Sequence, residues 1–462
     1  MLTLMKPELI ITVIIFLLLF IKIGKGLKNE TMLLLIQVLL LLNFVAGFFF
    51  NKEGVLFDRM YQTTAIIALQ KNILSLGIYL ISLLFAGWFK KSEHMPEFFM
   101  LMLSALLGMF FLISSGNLLM FFLALELATI PVAAMANFDL DKKVSSEAAM
   151  KMILSSAFSS GILLFGISLM YGATGTISFA ELPSHLNGSP LQVLALVFLF
   201  SAFAFKLSIV PFHLWTADVY EGAPMAATSF LSVISKGAVA FIFMATLYKV
   251  FQPMHELWYN MVMILSIATM IIGNLFALRQ QNIKRFLAFS SIAQVGFILV
   301  GISSNSIEGM TSVVYFILIY VFSNLAAFGV AAAISSQTNK ENIDDYKGLY
   351  QTNPFLSWVL ALALFSLAGI PPTAGFFGKL FLLTAGASKG SYFFITIAAL
   401  NMIISLFYYL RVVRAVFMEK NEQPVEKIKI DLSAKLALTI CAAGIVLIGM
   451  LSWIYDYIQS LS

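Results

Sequence analysis

The chain has 462 residues, of which 60% are hydrophobic and 11% are charged, and its mean hydropathy is +0.95. Soluble domains are much less apolar than this. The composition therefore excludes an ordinary soluble enzyme and indicates an integral membrane protein. The net charge of +5 would suit an acidic partner such as nucleic acid, but the position of the lysines relative to the apolar segments explains it without one.

A helix that crosses a membrane needs about 20 mostly apolar residues. Such segments are centred near residues 15, 40, 78, 104, 127, 160, 200, 236, 266, 292, 322, 370, 402 and 445. The sequence therefore predicts an all-α integral membrane protein with about 14 transmembrane helices, numbered here in chain order. The first apolar run, from Leu9 to Ile21, is interpreted as helix 1 and not as a signal peptide, because no small-residue cleavage site follows it.

Lysine and arginine are distributed unevenly between the two sets of loops. The odd-numbered loops carry 18 of them and the even-numbered loops carry 6. By the positive-inside rule the odd-numbered loops are cytoplasmic, so both termini are predicted on the outer side. Lys25 and Lys389 contribute to this count. Lys71 is counted in an even-numbered loop, although an earlier start of helix 3 would include it.

Four basic residues and one acidic residue remain within the predicted spans: Lys151, Lys206, Lys236, Lys379 and Glu126. A charge at the bilayer centre costs roughly 3 kcal/mol on insertion scales, so such residues usually face a protein interior or a water-filled path. Burial disfavours a charged lysine and a nearby carboxylate favours it, so a buried lysine can release a proton when its partner moves. These residues predict a proton pathway. The structural alternatives are a static ion pair between helices and, for Lys151, extension to the cytoplasmic surface.

Two of the predicted helices contain proline near a lysine. In "FAFKLSIVPFHLW", Pro211 follows Lys206 and precedes His213, and in "SLAGIPPTAGFFGKL", Pro371 and its neighbouring proline precede Lys379. Proline removes a backbone hydrogen bond, which a membrane helix tolerates only where protein or water satisfies the freed group. Helices 7 and 12 are therefore predicted to be broken. A histidine at a helix end either bonds to backbone or has a function, and both readings stay open for His213.

The two broken helices are five apart in the predicted order. Helices 4–8 and 9–13 then form two units with an odd number of helices each, which run in opposite directions through the membrane, as in secondary transporters with inverted repeats. The predicted domains are an N-terminal three-helix segment at 1–95, a first repeat at 96–250, a second repeat at 255–420 and a C-terminal helix at 421–462.

Five stretches resemble a known family. The stretch "FKLSIVPFHLWTADVYEGAPMAATSFLSVISKGA" closely resembles the hallmark region of subunit N of bacterial NADH-quinone oxidoreductase, respiratory complex I. The other four are "NLLMFFLALELATIPVAA", "EAAMKMILSSAFSSGILLFGISLMYGATG", "NIKRFLAFSSIAQVGF" and "FSLAGIPPTAGFFGKL". The resemblance runs from about residue 100 to 420.

The resemblance implies a proton-translocating, antiporter-like subunit of the membrane arm, located in the bacterial inner membrane. The charge count of the loops then predicts both termini on the periplasmic side of that membrane. It implies that Glu126 of helix 5 pairs with Lys206 of broken helix 7. It also implies that Lys236 of helix 8 is the central proton relay and that Lys379 of broken helix 12 is the terminal relay, which faces the outer exit.

Further positions are less certain members of the same route. Lys151 and His213 match accessory positions of the family. Gln294 stands where many relatives have a histidine, and a glutamine can orient water but cannot titrate. If that histidine normally carries protons, water or a nearby tyrosine has to replace it here. Tyr408 and Tyr409 of helix 13 are candidates, although aromatic clusters in membrane helices also serve packing.

The sequence predicts no redox cofactor in this chain. Its single cysteine, Cys441, cannot supply the four ligands of an iron-sulfur cluster, and no glycine-rich turn joins a strand to a helix as in a dinucleotide site. NADH, FMN, iron-sulfur clusters and quinone are expected in partner subunits, reached through the other membrane-arm subunits. The alternative functions are a subunit of a multisubunit cation/proton antiporter or membrane-bound hydrogenase, and a non-conducting scaffold subunit.

Overall fold

The computed structural model of the chain describes residues 3–24, 26–49, 52–388 and 390–462. Lys25 and Lys389, which contribute to the loop charge count, lie outside these residues. The described structure consists predominantly of helices and has one small sheet. The predicted all-α membrane fold is thereby confirmed.

The N-terminal half begins with two helices, a β-hairpin and two further helices. These are α1 (Lys6–Ile23), α2 (Asn29–Ala46), antiparallel β1 (Gly54–Leu56) and β2 (Tyr61–Thr63), α3 (Ala65–Leu84) and α4 (Ala86–Lys91). It continues with α5 (Met95–Ile113), α6 (Leu118–Ala136), α7 (Lys143–Thr174), α8 (Leu182–His185), α9 (Pro190–Leu207), α10 (Leu214–Gly222), α11 (Met225–Ser229) and α12 (Lys236–Lys249). A π-helical turn, Phe230–Ser235, joins α11 to α12.

The C-terminal half is helical throughout its regular structure. It contains α13 (His255–Arg279), α14 (Ile283–Ser303), α15 (Ile307–Thr338), α16 (Leu349–Thr352), α17 (Pro354–Ala368), α18 (Ala374–Ala387), α19 (Tyr392–Phe417), α20 (Leu432–Met450) and α21 (Trp453–Leu461). Two 3₁₀ turns, Gln252–Met254 and Ile343–Tyr346, precede α13 and α16.

Twelve helical segments of the described chain are long and apolar enough to cross a membrane. Helix α1 is as long as some of these but carries Lys6, Glu8 and Lys22. Helices α17 and α18 are apolar but have only 15 and 14 residues, as expected for the two halves of one broken helix. The breaks predicted in helices 7 and 12 are observed, whereas the total of fourteen spans stays a prediction.

The chain divides into two compact units. The first comprises Met1–Tyr79 and Glu93–Val262, and the second comprises Leu80–Ser92 and Met263–Ser462. In the first unit, α5 packs against α1, α6 and α12, while α7 packs against α6, α9 and α10. In the second unit, α15 packs against α14, α17, α18 and α20. Helix α14 is buried over almost its whole length and α15 over most of it.

An ion pair attaches the short segment Leu80–Ser92 to the rest of the second unit. The Lys90 Nζ lies 2.6 Å from Asp431 Oδ2. Asp431 is also the N-cap of α20, where its side chain accepts a hydrogen bond from the Ser433 N–H. Partial burial disfavours the charged carboxylate, but the bonds from Lys90 and Ser433 outweigh it and hold the pKa of Asp431 below its ordinary value.

The structure places Lys71 within α3 and not in a loop. Its side chain is completely buried in the first unit, so its assignment to an even-numbered loop is wrong. Helix α3 begins at Ala65, directly after the β-hairpin. The earlier start of helix 3, which would include Lys71, is therefore the one observed.

Helices α5 and α6 approach each other closely at Gly108. A Cβ atom at this position would lie 2.4 Å from the backbone nitrogen of Ala128, and rotation of a side chain cannot relieve such a contact. We expect Gly108→Ala to push the two helices apart and to destabilise the protein by ~1–3 kcal/mol. The measurement is the midpoint of thermal unfolding of the purified protein.

Gly161→Ala is the matched control for this substitution. Gly161 lies within α7, and apart from that helix and its chain neighbours no atom of the described structure lies within 4 Å of a Cβ placed there. We expect this variant to unfold at the wild-type midpoint or slightly above it, because alanine favours helix. Equal midpoints for the two variants would contradict the close approach at Gly108.

Candidate proton pathway

The first helix break separates α9 from α10. Helix α9 ends at Leu207, and Ser208 adopts the left-handed conformation with φ 64°. The Ile209 N–H then bonds to the Ala204 carbonyl at 2.8 Å, which is how many helices satisfy their last carbonyls. The peptide bond between Val210 and Pro211 is cis.

The second break repeats this backbone pattern between α17 and α18. Gly369 is left-handed with φ 86°, and the Ile370 N–H bonds to the Phe365 carbonyl at 2.9 Å. The bond between Pro371 and Pro372 is cis, as at the first break. Ser208, Ile209 and Pro211 of the first break thus correspond to Gly369, Ile370 and Pro372 of the second.

The two break lysines do not occupy equivalent positions in this correspondence. Lys206 precedes the first break, at the end of α9, whereas Lys379 follows the second break, within α18. In the register set by the two breaks, Leu367 occupies the position of Lys206, and Asp218 occupies that of Lys379. The two units therefore share a backbone design but place their charges differently.

Lys206 is buried, and its ammonium group is held by a hydroxyl. Lys206 Nζ donates to Thr129 Oγ1 of α6 at 2.7 Å, and Thr129 Oγ1 donates to the Leu125 carbonyl at 2.6 Å. Glu126, three residues before Thr129, is half-buried and accepts a hydrogen bond from Ser160 of α7. The ion pairs within 4 Å in the described structure do not include Glu126 with Lys206, so Thr129 takes the place of the expected carboxylate partner.

A small cavity adjoins this lysine. Its volume is about 20 Å³, and its polar lining comes from Lys206, Thr129, Trp215 and Ser235. About 10–15 Å³ is enough for one water molecule. The cavity therefore lies between Lys206 and Ser235, the residue that directly precedes Lys236 in the chain.

Lys236 is the first residue of α12 and is buried. The π-helical turn before it forms i→i+5 hydrogen bonds and so has more residues per turn than an α-helix, and such turns are frequent at functional sites. The Lys236 ammonium lies 5.5 Å from the centroid of the Tyr220 ring, within the range of a cation–π contact. The resemblance pointed to Lys236 but not to the π-helical turn or to Tyr220.

The two accessory candidates of the first unit have different surroundings. Lys151 of α7 forms ion pairs with Asp218 Oδ2 of α10 at 2.6 Å and with Glu147 Oε1 at 2.7 Å, and its side chain is 42% exposed. Its ammonium group therefore contacts two carboxylates, one on its own helix and one on α10. His213 is buried at the N-cap position of α10, within the break.

Lys379 is completely buried in the second unit. Its Nζ donates to the carbonyls of Leu367 at 2.7 Å and Ala368 at 3.3 Å, which are the last two carbonyls of α17. The C-terminus of a helix carries a partial negative charge, so it stabilises an ammonium group without a carboxylate. The ring of Phe297 adds a cation–π contact, with its centroid 4.6 Å from Nζ.

Gln294 and Tyr409 lie in the same hydrogen-bond network as Lys379. Gln294 Nε2 donates to the Leu367 carbonyl at 2.9 Å and to Tyr409 Oη at 3.0 Å. The Leu367 carbonyl thus accepts from both Lys379 and Gln294. The structure therefore brings together Gln294 of α14, Lys379 of α18 and Tyr409 of α19, which were separate candidates from the sequence.

Two buried asparagines continue the polar surroundings of the tyrosines. Tyr408 Oη donates to Asn274 Oδ1 at 3.0 Å, and Asn274 Nδ2 donates to Asn401 Oδ1 at 3.0 Å. Tyr408 packs on Tyr409, with ring centroids 4.6 Å apart. Neither asparagine was a candidate from the sequence, although an asparagine inside a long apolar helix is itself a signal of polar contact.

The chain was compared with known proteins. The profile of the family described as "NADH:quinone oxidoreductase/Mrp antiporter, TM" matches residues 115–405, which is more than half of the chain. The chain belongs to this family. NADH-quinone oxidoreductase subunit N of Phocaeicola vulgatus is 49% identical over 412 residues, which cover 88% of this chain and 87% of that protein. Subunit N of Azobacteroides pseudotrichonymphae is 46% identical over 419 residues, which cover 90% and 87%.

Solved structures of the family have the same fold. A chain of respiratory complex I from Thermus thermophilus with bound aureothin superposes with a TM-score of 0.84 at 26% identity, covering 99% of this chain and all of that one. A chain of the Mrp complex from Dietzia sp. superposes with a TM-score of 0.87 at 19% identity, covering 98% and 96%. At 19% identity, the similarity to the Mrp chain shows only that the two chains share a fold. The family named from the sequence motifs is confirmed.

Proposed function

We propose that the chain translocates protons as the subunit N component of the membrane arm of an NADH-quinone oxidoreductase. Its own residues transfer protons, while NADH oxidation and quinone reduction take place in partner subunits. One observation supports the roles proposed for individual residues. The buried Lys206 ammonium is held by the neutral Thr129 hydroxyl, while the nearby Glu126 carboxylate is held separately by Ser160.

Lys206 has two alternative partners on one helix, because Thr129 and Glu126 lie one turn apart on α6. Contact with the Glu126 carboxylate stabilises the ammonium form of the lysine. Contact with the Thr129 hydroxyl stabilises it less, so the lysine then releases its proton more readily. A movement of the Lys206 side chain between these partners therefore changes its proton affinity.

The proton released by Lys206 passes to Lys236 through the cavity between Thr129 and Ser235. The cavity is large enough for one water molecule, and Thr129 and Ser235 are on its lining. Transfer across one water needs hydrogen-bond distances of about 2.6–3.2 Å at each step. We assign His213 and Lys151 as accessory residues, His213 within the break and Lys151 through its pair with Asp218.

In the second unit, Lys379 is the terminal relay towards the outer side. Its ammonium form is stabilised by the end of α17 and not by a fixed negative charge. Gln294 shares the Leu367 carbonyl with Lys379 and bonds to Tyr409, so a change in the protonation of Lys379 changes the hydrogen bonds of both. Gln294 orients this network, and the Tyr409 hydroxyl accepts a hydrogen bond from it.

The proposal places NADH, FMN, iron-sulfur clusters and quinone in partner subunits, which this chain reaches through the other membrane-arm subunits. It places the chain in the bacterial inner membrane with both termini on the periplasmic side, as the excess of lysine and arginine in the odd-numbered loops supports. It retains 96–250 and 255–420 as two inverted repeats, supported by the common pattern of the two breaks.

A cation/proton antiporter subunit is the second candidate function, because the Mrp chain shares the fold. Co-purification separates the two candidates. We expect the tagged chain to bring down an NADH-oxidising, flavin-containing assembly from detergent-solubilised membranes. A preparation without flavin and without NADH oxidation would favour the antiporter.

Removal of either member of the Lys206 and Glu126 set is expected to impair proton transport. We expect Lys206→Ala and Glu126→Ala each to lower NADH-driven proton uptake into inverted membrane vesicles by roughly tenfold or more, since a positioned proton-transfer group contributes about 10²–10⁴. The assembled complex is quantified on native gels. Lys142→Ala is the control, because Lys142 forms an exposed pair with Asp139. Normal uptake in both alanine variants of an assembled complex would support a scaffold.

Thr129→Val tests the hydroxyl that holds Lys206. Valine keeps the shape of threonine but removes the acceptor, and a hydrogen bond to a charged group contributes ~1.5–3 kcal/mol. Lys206 then keeps only Glu126 as a partner on α6 and stays protonated, so we expect slower proton uptake per NADH oxidised. Thr129→Ser retains the hydroxyl and is expected to retain uptake. The role of Thr129 is excluded if the valine and serine variants pump equally well.

Tyr409→Phe tests the second unit separately. The substitution removes the phenolic oxygen that accepts from Gln294 and keeps the aromatic ring in place, so we expect less proton uptake with unchanged assembly. Tyr392→Phe is the matched control on the same helix, because Tyr392 is exposed. If Tyr409→Phe vesicles take up protons at the rate of the control, Tyr409 has a packing role alone.

A further inference from the structure

A third buried charge cluster lies in the N-terminal three-helix segment. Glu8 of α1, Tyr61 of β2 and Lys71 of α3 are each 1% exposed. Lys71 Nζ lies 2.5 Å from Glu8 Oε1 and 3.0 Å from Tyr61 Oη. Tyr61 Oη in turn lies 3.1 Å from Glu8 Oε1 and 3.0 Å from the Leu4 carbonyl. One carboxylate, one phenol and one ammonium thus form a closed triangle, called the Glu8 cluster below.

The Glu8 cluster has an unused acceptor. Glu8 Oε2 is buried and has no hydrogen-bond partner among the residues that the structure describes. A carboxylate oxygen without a partner costs free energy in an apolar interior. A proton bound there neutralises the carboxylate and leaves the Lys71 ammonium with Tyr61 as its remaining partner in the cluster. The position that would accept a proton is therefore already present.

A small polar cavity adjoins the cluster at Lys71. Its volume is about 10 Å³, and its lining includes Lys6, Asn43, Lys71, Asn72 and Ser75. This is close to the space that one water molecule needs. Lys6 lies in the first turn of α1 and is partly exposed, so polar groups extend from the cluster to the end of the helix at which the chain begins.

The cluster lies outside the residues assigned to the proposed route. It comes from α1, β2 and α3, and none of its members falls within residues 115–405, which the family profile matches. The titratable groups that contact Glu8 are Lys71 and Tyr61 alone among the described residues. The neighbouring α5 contributes the Phe110 ring, whose centroid is 6.0 Å from Lys71 Nζ.

We propose that the Glu8 cluster is an additional proton-binding site of the subunit, at the membrane face that carries the N-terminus. In the resting form Glu8 is ionised and Lys71 protonated, so the cluster is neutral. An incoming proton binds to Glu8 Oε2, the cluster acquires one positive charge, and Lys71 keeps its three hydrogens and its bond to Tyr61. Release of the same proton restores the ion pair. This inference rests on the proposed proton translocation.

A purely structural ion pair between α1 and α3 is the competing explanation, and a double substitution separates the two. Glu8→Gln removes the proton-binding oxygen but leaves the Lys71 charge unpaired, which by itself destabilises a buried site. Glu8→Gln combined with Lys71→Met removes both charges and keeps the side-chain lengths. The double variant is therefore expected to assemble with its partner subunits as the wild type does.

The measurement is the number of protons taken up per NADH oxidised by inverted vesicles that contain the whole complex. We expect a lower ratio for the assembled double variant than for the wild type. The matched control is Glu97→Gln combined with Lys22→Met, which removes the partly exposed pair between α5 and α1 at 2.9 Å and is expected to leave the ratio unchanged. A wild-type ratio in the assembled Glu8 and Lys71 double variant would overturn the proposal.

Two further variants are measured in the same vesicle assay. If neither Glu8 variant assembles, the same ratio is measured for Tyr61→Phe, which removes only one hydroxyl from the cluster. An unchanged number of protons per NADH in this variant would overturn the proposal. Lys206→Ala is measured in parallel. Loss of uptake in Lys206→Ala with a normal ratio in the Glu8 and Lys71 double variant rejects the additional site alone, whereas normal uptake in Lys206→Ala rejects the proposed route itself.

Discussion

A lysine ammonium inside a membrane-spanning helix needs oxygen atoms from the protein, because neither lipid tails nor apolar side chains replace its water of hydration. The chain supplies these atoms in three ways. Lys379 bonds to the last carbonyls of α17, Lys206 to the Thr129 hydroxyl, and Lys71 to the Glu8 carboxylate. Carbonyls become available in the middle of a span only where a helix ends. The second helix break is therefore the means by which Lys379 is solvated.

The kind of oxygen determines how firmly each lysine keeps its proton. A carboxylate stabilises the ammonium form by a full negative charge, whereas a hydroxyl or a helix end does so by a dipole. Lys206 and Lys379 bond to neutral groups, whereas Lys71 is paired with a carboxylate. In the site proposed at the Glu8 cluster, the proton therefore binds to the unpartnered carboxylate oxygen and not to the lysine.

The sequence was sufficient to predict the membrane fold, the two helix breaks and the family, because these depend on apolar length, proline and specific motifs. The contact of Gln294 and Tyr409 with Lys379 required the structure, although all three residues were candidates. Thr129 was missed because hydroxyl residues are common in apolar helices, and only the crossing of α6 and α9 shows which of them faces a lysine. Lys71 was misplaced because the start of α3 depends on a β-hairpin, which hydropathy does not detect.

The two breaks show how one backbone pattern serves two different charge arrangements. Their left-handed residues and cis prolines correspond, yet the position of Lys206 in the first is a leucine in the second, and the position of Lys379 in the second is Asp218 in the first. Asp218 bonds to Lys151 near the surface, while Lys379 bonds to the helix end beside it. Because the opened helix end is partially negative in both units, it favours a cation close by. The first unit provides that cation from α9 itself, and a hydroxyl of α6 holds it. The second unit provides the cation from beyond the break, and the carbonyls at the end of α17 hold it.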